Sequence, residues 1–477
     1  CCIGGMFGNN SCGSHSLIYG STRHHILEAK AILTDGTEEL MKEYSIAELE
    51  KRFGREFWKK PSEMLIVRIY SQLINWALVD ETMKMITESY PDKTLRRRSS
   101  GYAIDETIED IADKGKPMGE RRINLCRVMC GSEGTLAFVT EIKVDLDVLP
   151  PEEKMAVCVH CDSLEKCYVA NLVCLEHQPD AIELIDGHIL ELSKRNAGQR
   201  DNRFFVNGDP KGLLVVELSA ETKEALAIKA DALEKALTEG DNALAYCCTR
   251  VDKKDIGKVW SLRKAGLGLL GGMKGDAKPI GVIEDTAVAP QRLPEYLRDI
   301  KKMLDNLGLN CVFYGHISTG ELHLRPIIDI KTEKGRKMFR LVAEETARIV
   351  KKHRGSLSGE HGDGRLRGEF IPMMFGEEAY EIMCQLKKCW DPEGIMNMGK
   401  IVNTPPMDEF LRYEAEQKYV AEKWMDCGEC KDLMLDIEQC NGAADCRKSS
   451  VIGGTMCPVY KATKDETMTT RARANVL

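Results

Sequence analysis

The sequence predicts an α+β fold of two to three domains. Two stretches, residues 155–185 and 213–250, repeat a strand–helix–strand pattern, which is typical of helices segregated against an antiparallel sheet. Nearer the beginning, an alternating strand over residues 29–33 is closed by an Asp-Gly turn. Pro150 and Pro151 lie between the early strand and the strand–helix–strand units, so we place a domain boundary there. A chain of 477 residues is long enough for each domain to bury its own core.

The composition is that of an ordinary water-soluble globular protein, and it excludes some classes of function. Hydrophobic residues make up 43% of the chain and charged residues 30%, and the formal net charge is -8. This charge, without basic runs, argues against nucleic acid as a partner. No apolar run approaches the ~18 to 20 residues that span a bilayer. We therefore expect a cytoplasmic protein and leave open a peripheral association with the inner face of the cell membrane.

The cysteine count indicates a reducing compartment. Nineteen is an odd number, so these cysteines cannot all pair in intramolecular disulfides. Most need no special role, because cysteine in an apolar strand or helix pattern behaves as a small buried hydrophobe. This interpretation applies to Cys158, Cys161, Cys167 and Cys174.

The side chains best suited to metal binding and acid–base chemistry lie in two short stretches of the sequence. His316 and His323 lie seven residues apart in the turn-rich, glycine-punctuated sequence GHISTGELHLRP. Glu360 and His361 lie in the sequence SGEHGDGR. Two imidazoles and one carboxylate suit a divalent metal with open positions, such as zinc, manganese or iron. His361 is then left as a candidate base. Alternatively, these are surface-loop histidines without a common site, and spacing alone does not decide between the two.

Both stretches resemble the metal-binding loops of FAD-linked 2-hydroxyacid dehydrogenases of the vanillyl-alcohol-oxidase superfamily, whose patterns are GHxxxGxLH and SGEHGxGxxR. Three further segments agree with that family. Residues 3–27 are similar to its segment that wraps FAD, residues 131–141 to its GSEGTLGxxTE flavin signature, and residues 391–401 to its DPxGxxNPGK ending. Ala137 and Met398 depart from the pattern, where the family has glycine and proline. The resemblance covers nearly the whole chain.

The resemblance implies FAD-binding roles for two glycine-rich segments and one asparagine. Bare glycine backbone can approach a phosphate or a flavin ring closely, which suits the first segment, predicted as a loop. The residues implied are Gly4, Gly5, Gly8, Asn9, Asn10, Gly13, Ser14, Tyr19, Gly20, Gly131, Glu133, Gly134, Thr135, Leu136 and Asn397. Residues 96–102, RRRSSGY, are either a solvated basic loop or, by resemblance to an RxxSGY segment, neighbours of the flavin.

Three cations are candidates for binding the substrate. An arginine and a lysine in one cavity bind a carboxylate well, although ordinary surface cations would give the same sequence. In the resembling family, the arginine of a WxxR motif and a lysine fifteen positions later hold the substrate carboxylate. Arg263 and Lys278 keep that spacing. Arg325, two residues after His323, is a third cation that could face the variable end of the substrate.

Three cysteines near the carboxyl terminus resemble an iron–sulfur run in which the last cysteine precedes proline. The resemblance implies that a 4Fe-4S cluster is ligated by Cys440, Cys446 and Cys457. The usual CxxCxxC core is broken here, because Ala443 occupies the middle position. A CxxC pair, Cys427 and Cys430, could contribute to the cluster or could be incidental, and we favour the second interpretation.

These segments predict a domain order. Residues 1–150 form a partial FAD-binding domain of the PCMH type, and residues 151–402 form a substrate or cap domain with a ferredoxin-like sheet and the metal site. Residues 403–477 form a linker and part of a helical 4Fe-4S ferredoxin-type region. By comparison with the family, we expect a fragment that lacks part of the FAD domain and most of the iron–sulfur region.

The function that the resemblance implies is FAD-dependent oxidation of a D-2-hydroxy acid to the 2-oxo acid, with D-lactate as the first candidate substrate and D-2-hydroxyglutarate as the next. Arg263 and Lys278 would clamp the small acid by its carboxylate, the metal would polarise its 2-hydroxyl, and His361 would take the hydroxyl proton. Electrons would leave the flavin through the cluster to a quinone, a cytochrome or a carrier protein. The oligomeric state is not predicted.

Two other classes of function stay open. A metal-dependent hydrolase would need only the two histidines and one carboxylate, and it predicts metal-dependent activity without a flavin. A non-catalytic electron-transfer subunit would bind flavin or cluster for a partner's active site, and it has no use for a carboxylate clamp beside a base. Neither class accounts for the glycine segments at residues 4–13 and 131–135.

Overall fold

The computed structural model describes residues 2–240, 243–273, 275–411, 414–416, 437–438, 440, 444–448 and 457–476. Within these residues the predicted α+β fold is confirmed, with antiparallel sheets that helices cover. The strands are β1 (Ile26–Ile32), β2 (Glu38–Ser45), β3 (Arg122–Asn124), β4 (Phe138–Val144), β5 (Glu153–Cys161), β6 (Ala181–Asp186), β7 (Gly212–Ala220), β8 (Cys247–Asp252), β9 (Lys278–Pro279), β10 (Ile283–Ala287), β11 (Cys311–Gly315) and β12 (Glu321–Ile328).

The α-helices are distributed over the whole described chain, and short 3-10 turns connect several of them. They are α1 (Ile3–Asn9), α2 (Ser16–Tyr19), α3 (Thr22–His25), α4 (Ile46–Phe53), α5 (Leu65–Leu78), α6 (Asp80–Ser89), α7 (Ile104–Ala112), α8 (Cys126–Met129), α9 (Leu164–Glu176), α10 (Gly187–Arg195), α11 (Lys223–Thr238), α12 (Ile256–Gly271), α13 (Leu293–Asn306), α14 (Glu333–Lys352), α15 (Gly364–Arg367), α16 (Ile371–Phe375), α17 (Glu377–Trp390), α18 (Pro458–Thr463) and α19 (Thr470–Val476). None of the described helices has the length and apolar character needed to cross a lipid bilayer.

The first sheet has four strands in the order β3-β2-β1-β4, and all of its pairings are antiparallel. The hairpin of β1 and β2 turns at Gly36, which has a φ of 82°, so the predicted Asp-Gly turn is confirmed. After β2, helix α4 begins with a capping box between Ser45 and Glu48. Helices α5 and α7 pack against each other beside this sheet and fill the core.

The second sheet has the strand order β10-β12-β11-β6-β7-β5-β8, and β9 pairs with β12. Both predicted strand–helix–strand units are confirmed, as β5-α9-β6 and β7-α11-β8. Alternate residues of β5 point to opposite faces: Val157 and Val159 join the core of α9 and α11, whereas Ala156 and Cys158 join that of α10 and α12. Burial on both faces explains why these strands read as continuous apolar runs. The four cysteines expected in the core are buried.

The helices after the metal-binding sequences return to the first sheet region. Helix α17 packs against α5 and α6, and its last residue, Trp390, is fully buried. The Trp390 carbonyl oxygen accepts a hydrogen bond of 2.8 Å from the Thr34 hydroxyl, and Lys387 Nζ donates to the Thr135 carbonyl oxygen at 2.7 Å. The stretch between α14 and α17, which carries Glu360 and His361, is therefore held against the glycine-rich segments of the first region.

Two local predictions were wrong. The glycine-rich beginning, expected as a loop, forms helix α1. Glycine disfavours a helix, but the Phe7 and Gly8 carbonyl oxygens accept hydrogen bonds of 2.9 Å from the N–H groups of Gly131 and Glu133, and such tertiary contacts override local propensity. The sequence of residues 278–285 also predicts a single strand, whereas the structure splits it into β9 and β10.

Candidate active site

The hairpin of β11 and β12 places the two histidines. His316 directly follows β11, and His323 lies opposite Tyr314 within β12, so His323 is on a strand and not on the loop that the sequence suggested. The turn between the strands ends at Gly320, which has a φ of 76°. A Cβ atom on Gly320 would lie 1.7 Å from the Val288 carbonyl oxygen, so only glycine fits this position.

We expect the substitution Gly320→Ala to lower the free energy of unfolding by about 3 kcal/mol, because the added methyl group clashes with backbone and the φ is unfavourable. Gly308→Ala is the matched control, since Gly308 has a φ of 67° but a Cβ there meets no described atom within 4 Å. The control should lose only about 1 kcal/mol. Thermal unfolding of the two variants measures the difference, and equal losses would contradict the proposed clash.

Asp285 fixes the loop that carries Glu360 and His361. Its Oδ2 accepts hydrogen bonds from the backbone N–H groups of Gly359, Glu360 and His361, at 3.1, 3.0 and 2.7 Å. Its Oδ1 pairs with the guanidinium of Arg367. Asp285 is fully buried and has a φ of 61° within a shift of the β10–β12 register, and bulges of this kind re-aim side chains. Sequence reasoning assigned no role to this residue.

Four potential ligands converge at the hairpin: His316, Glu321, His323 and Glu360 offer donor atoms that all lie within 4.8 Å of one another. His316 Nε2 is 3.6 Å from Glu360 Oε1, and His323 Nδ1 is 3.3 Å from Glu321 Oε1. Ligands bound tetrahedrally at about 2.0–2.2 Å lie roughly 3.3–3.6 Å apart. The three predicted metal ligands are thus close together, and Glu321, which the sequence reasoning missed, joins them.

Two details indicate that this group fits a divalent metal. His316 Nδ1 is 2.5 Å from the fully buried Glu183 carboxylate, which leaves Nε2 to face the other ligands, as in carboxylate–histidine–metal sites. Glu321 Oε1 and His323 Nδ1 are buried and have no hydrogen-bond partner among the described residues. Buried polar atoms are normally paired, so a metal ion would satisfy both of them.

Charges around the group shift its protonation. Burial raises the pKa of the Glu321 carboxyl to about 7 against the opposing charge of Arg97. Burial also disfavours the charged form of His316, but the Glu183 carboxylate outweighs it and raises the pKa of His316 to about 9. For Glu360 the effect of burial is outweighed by His316, His361 and Arg97, and its pKa lies well below the usual range. At neutral pH Glu360 is therefore ionised and His316 is protonated, whereas Glu321 is close to half-protonated.

His361 lies at the open edge of this group. Its side chain is 39% exposed, and its Nε2 is 3.2 Å from Glu360 Oε1. The ring stacks on that of His323, with centroids 5.3 Å apart and an interplanar angle of 4°. Burial lowers the pKa of His361, but the hydrogen bond to Glu360 and the charge of Asp285 outweigh it and raise the pKa to about 9. The predicted base is thus accessible beside the predicted ligands.

Two of the three predicted substrate cations, Arg263 and Arg325, contact Tyr314, whose ring is 5.0 Å from that of His323. The Arg263 guanidinium lies 5.2 Å from the Tyr314 ring centroid and pairs with Glu183 at 2.7 Å. Arg325 Nε donates to the Tyr314 hydroxyl at 3.0 Å.

Arg325 and Lys278 each have a contact that involves strand β9 or β10. Arg325 also pairs with the carboxylate of Glu284. Lys278, on β9, donates from Nζ to the Met273 carbonyl oxygen. Arg263 and Arg325 are therefore brought together near the histidines, and Lys278 joins the same sheet through the pairing of β9 with β12.

The predicted FAD-binding residues form a surface next to His361. Asn9 Nδ2 donates to the His361 carbonyl oxygen at 3.4 Å, and Asn397 Nδ2 donates to the Glu133 carbonyl oxygen at 2.6 Å. Helix α1 is exposed at Gly4 and Gly5. The space next to this surface is also open. A Cβ atom added to any of four glycines would have no described atom within 4 Å, and these glycines are Gly4, Gly5, Gly8 and Gly13. Such bare backbone fits a planar flavin.

Some members of that set have other contacts. The Glu133 carboxylate accepts hydrogen bonds from the N–H groups of Asp363, at 2.6 Å, and Gly364, so it links the flavin signature to the metal loop. Thr135 and Leu136 are fully buried. The remaining predicted residues, which lie beside these segments and have no contact that tests their role, are Asn10, Ser14, Tyr19, Gly20, Gly131 and Gly134.

The iron–sulfur prediction is not tested by the structure. Cys440 and Cys446 are half-buried and Cys457 is buried. The ligand groups that converge within the described part of the chain contain no cysteine. Cys427 and Cys430 lie outside the described residues. Cluster ligation therefore stays a prediction.

An open glycine surface beside a histidine–carboxylate group is the arrangement expected of an FAD-linked oxidoreductase. The chain belongs to the family described as FAD linked oxidases, C-terminal domain, whose model matches residues 150–401, more than half of the chain. This membership agrees with the family that the motifs predicted.

Several curated relatives match the chain in sequence. It is 28% identical over 484 residues to D-2-hydroxyglutarate dehydrogenase of Escherichia coli (strain K12), an alignment covering 100% of this chain and 45% of the relative. It is 29% identical over 489 residues to the protein of the same name from Pseudomonas putida, with the same coverage. To D-lactate dehydrogenase of Archaeoglobus fulgidus it is 25% identical over 406 residues, covering 84% of this chain and 69% of the relative. The chain thus spans less than half the length of the D-2-hydroxyglutarate dehydrogenases.

Proposed function

We propose that the chain carries the active site of an FAD-dependent dehydrogenase that oxidises a D-2-hydroxy acid to the 2-oxo acid. The observation that carries this proposal is the convergence of the His316–Glu321–His323–Glu360 group, the exposed His361 and the Arg263–Tyr314–Arg325 cluster beside the open glycine surface. The names of the similar dehydrogenases support the same reaction. Neither a metal hydrolase nor a non-catalytic subunit needs all of these parts together.

Each group has a distinct task in the proposed reaction. Arg263, oriented by Glu183, binds the substrate carboxylate with Lys278, and this fixed orientation removes much of the entropic cost of reaction. A divalent metal held by His316, His323 and Glu360 would act as a Lewis acid. In its neutral form, which the raised pKa of about 9 makes the minor form at neutral pH, His361 accepts the proton of the 2-hydroxyl, and the resulting positive charge is stabilised by Glu360 and Asp285. FAD supplies the oxidising group when bound.

We infer that D-2-hydroxyglutarate is the preferred substrate and D-lactate the second candidate. The D-2-hydroxyglutarate dehydrogenases match the full length of this chain, whereas the D-lactate dehydrogenase matches 84% of it. Arg325 supports this order, because it binds the hydroxyl of Tyr314, the residue whose ring Arg263 contacts, and could receive a second carboxylate in place of Glu284. A substrate with one carboxylate has no such use for Arg325.

The remaining parts of the prediction extend this proposal. Residues 1–150 would supply part of the FAD domain, residues 151–402 the substrate and metal site, and residues 403–477 the link to an iron–sulfur region. Cys440, Cys446 and Cys457 would contribute to a 4Fe-4S cluster that passes electrons to a quinone, a cytochrome or a carrier protein.

The test is the visible spectrum of the holoenzyme without oxygen. We expect a bound flavin band that D-2-hydroxyglutarate bleaches fastest, D-lactate more slowly and L-lactate not at all. Bleaching by D-lactate alone would overturn the substrate order but keep the reaction. A holoenzyme that binds a divalent metal but no flavin would overturn the dehydrogenase, and metal-dependent hydrolysis would become the leading function.

A further inference from the structure

We propose that Glu321 is a fourth protein ligand of the metal, and that Arg97 orients it together with Glu360. This inference rests on the proposed function in one respect, the presence of a metal at His316, His323 and Glu360. It concerns the position that lies within the spacer of the GHxxxGxLH pattern, to which the sequence assigned no role.

The key observation is that the two oxygens of each carboxylate, in Glu321 and in Glu360, have different partners. Oε2 of Glu321 and Oε2 of Glu360 both contact the Arg97 guanidinium, the latter at 3.0 Å. The other oxygen of each carboxylate faces imidazole nitrogens: Glu321 Oε1 is 3.3 Å from His323 Nδ1, and Glu360 Oε1 is 3.6 Å from His316 Nε2. The two glutamates therefore present equivalent atoms to the same space, and an ion bound by one of them is within reach of the other.

A role as partner of Arg97 alone does not account for Glu321. It is fully buried, and its Oε1 has no hydrogen-bond partner among the described residues. A buried polar atom without a partner costs about 1–3 kcal/mol, more when it is charged. The backbone also holds this side chain in place, because a Cβ on Gly359 would lie 2.9 Å from Glu321 Cγ. A metal ion would satisfy the oxygen without movement of the side chain.

Arg97 fits the same scheme. It is fully buried, and its remaining donors bind the Gly13 carbonyl oxygen at 2.6 Å and the Ser16 hydroxyl at 3.0 Å. Its guanidinium is thus fixed on both sides, with one edge against the two carboxylates. A planar, rigid cation of this kind sets the orientation of carboxylates better than a lysine would. Arg97 is a positioning residue, and it acts through Glu321 and Glu360.

The charges agree with a divalent ion. Around the group lie three buried or nearly buried carboxylates, Glu183, Glu321 and Glu360, and two guanidinium groups, Arg97 and Arg263. The three carboxylates outnumber the two guanidinium groups, so a divalent ion would offset carboxylate charge that the arginines leave unbalanced.

Four protein ligands restrict the kind of metal. A tetrahedral zinc ion would be closed by two imidazoles and two carboxylates, with no position left for a substrate hydroxyl. An ion that takes six ligands and accepts carboxylate oxygens readily, such as Mn²⁺, keeps two positions open. We therefore infer that the working ion is of the Mn²⁺ type.

Mn²⁺ binding to the metal-stripped holoenzyme tests this inference, with flavin absorbance as the check on folding. We expect Glu321→Gln and Glu360→Gln each to weaken the Mn²⁺ affinity at least ~10- to 100-fold, measured by calorimetry. Glu321→Asp should recover part of the loss. Glu217→Gln is the matched control, because Glu217 is a buried carboxylate of the same sheet, bound by His15 and Trp260, and should leave the affinity unchanged.

The outcomes separate the inference from the proposed function. Normal binding in Glu321→Gln with a loss in Glu360→Gln would overturn the role of Glu321 alone. If both variants bound Mn²⁺ normally, the metal site itself would be overturned. The same conclusion would follow if the unmodified holoenzyme bound no Mn²⁺. If Glu321→Gln loses its flavin, the anomalous-scattering position of Mn²⁺ in crystals of the unmodified holoenzyme decides. An ion about 2.0–2.2 Å from Glu321 Oε1 supports ligation, and one beyond van der Waals contact overturns it.

Discussion

Replacing His361 by alanine is expected to lower turnover by about 10²- to 10⁴-fold, because the 2-hydroxyl proton loses its acceptor. The protein should still fold, since the side chain is 39% exposed and is not part of the hydrophobic core. The Michaelis constant should change little, because the carboxylate is held by other groups. Turnover of the holoenzyme with D-2-hydroxyglutarate, measured together with flavin absorbance and metal content, checks this result.

His188→Ala provides the control for this experiment. His188 is also an exposed histidine beside a carboxylate, with its Nδ1 2.8 Å from Asp186 Oδ1, but it lies at the start of α10. Its loss should leave turnover within a factor of about two, as for surface substitutions. Added imidazole should restore part of the activity of His361→Ala, because the site is open at this edge. Unchanged turnover in His361→Ala would remove this residue from the reaction.

The second large effect is expected for Asp285→Asn, a substitution that keeps the volume of the side chain. It leaves the buried Arg367 without its charged partner, which costs about 3–5 kcal/mol of stability. It also weakens the hydrogen bonds that hold the backbone of Glu360 and His361. Displacement of both groups by about 1 Å should reduce turnover about 100-fold. Thermal unfolding, metal content and turnover are measured on the same preparation.

A double variant separates the two consequences of losing Asp285. Asp285→Asn with Arg367→Met removes both buried charges, so it should recover part of the thermal stability but not the turnover. Asp299→Asn is the control, because this partly exposed carboxylate binds Lys352 and His353 at the end of α14 and not the backbone N–H groups of the loop. If the double variant also recovered full turnover, Asp285 would serve the stability of the protein and not the placement of the loop.

The sequence predicted those parts of the fold that local patterns determine. Alternation and turn residues identified the β1–β2 hairpin, and the repeated strand–helix–strand pattern identified the units β5-α9-β6 and β7-α11-β8. His316, His323 and Glu360 could be named because the motifs that carry them resemble a known family. Their donor atoms lie within 4.8 Å of one another, and their binding of a metal stays a prediction.

The partners of these residues could not be predicted in the same way. Asp285 binds a loop more than seventy positions later, and the register shift that aims its carboxylate has no local sequence signal. Arg97 looked like one cation in a solvated basic run, because nothing in that run indicates burial. Glu183 lies within an apolar strand, where a lone carboxylate gives no information about the histidine that it binds. Long-range convergence of this kind becomes visible only in three dimensions.

The Glu133 carboxylate has a consequence for how the two cofactors would be loaded. Its oxygens hold the N–H groups of Asp363 and Gly364 at the end of the metal loop, while its own N–H donates to Gly8 in the glycine-rich helix. Ordering of either segment therefore reduces the conformational freedom of the other. By thermodynamic reciprocity, a flavin that orders one side would raise metal affinity by the same factor by which the metal raises flavin affinity. The two sites would behave as one cooperative unit that fills and empties together.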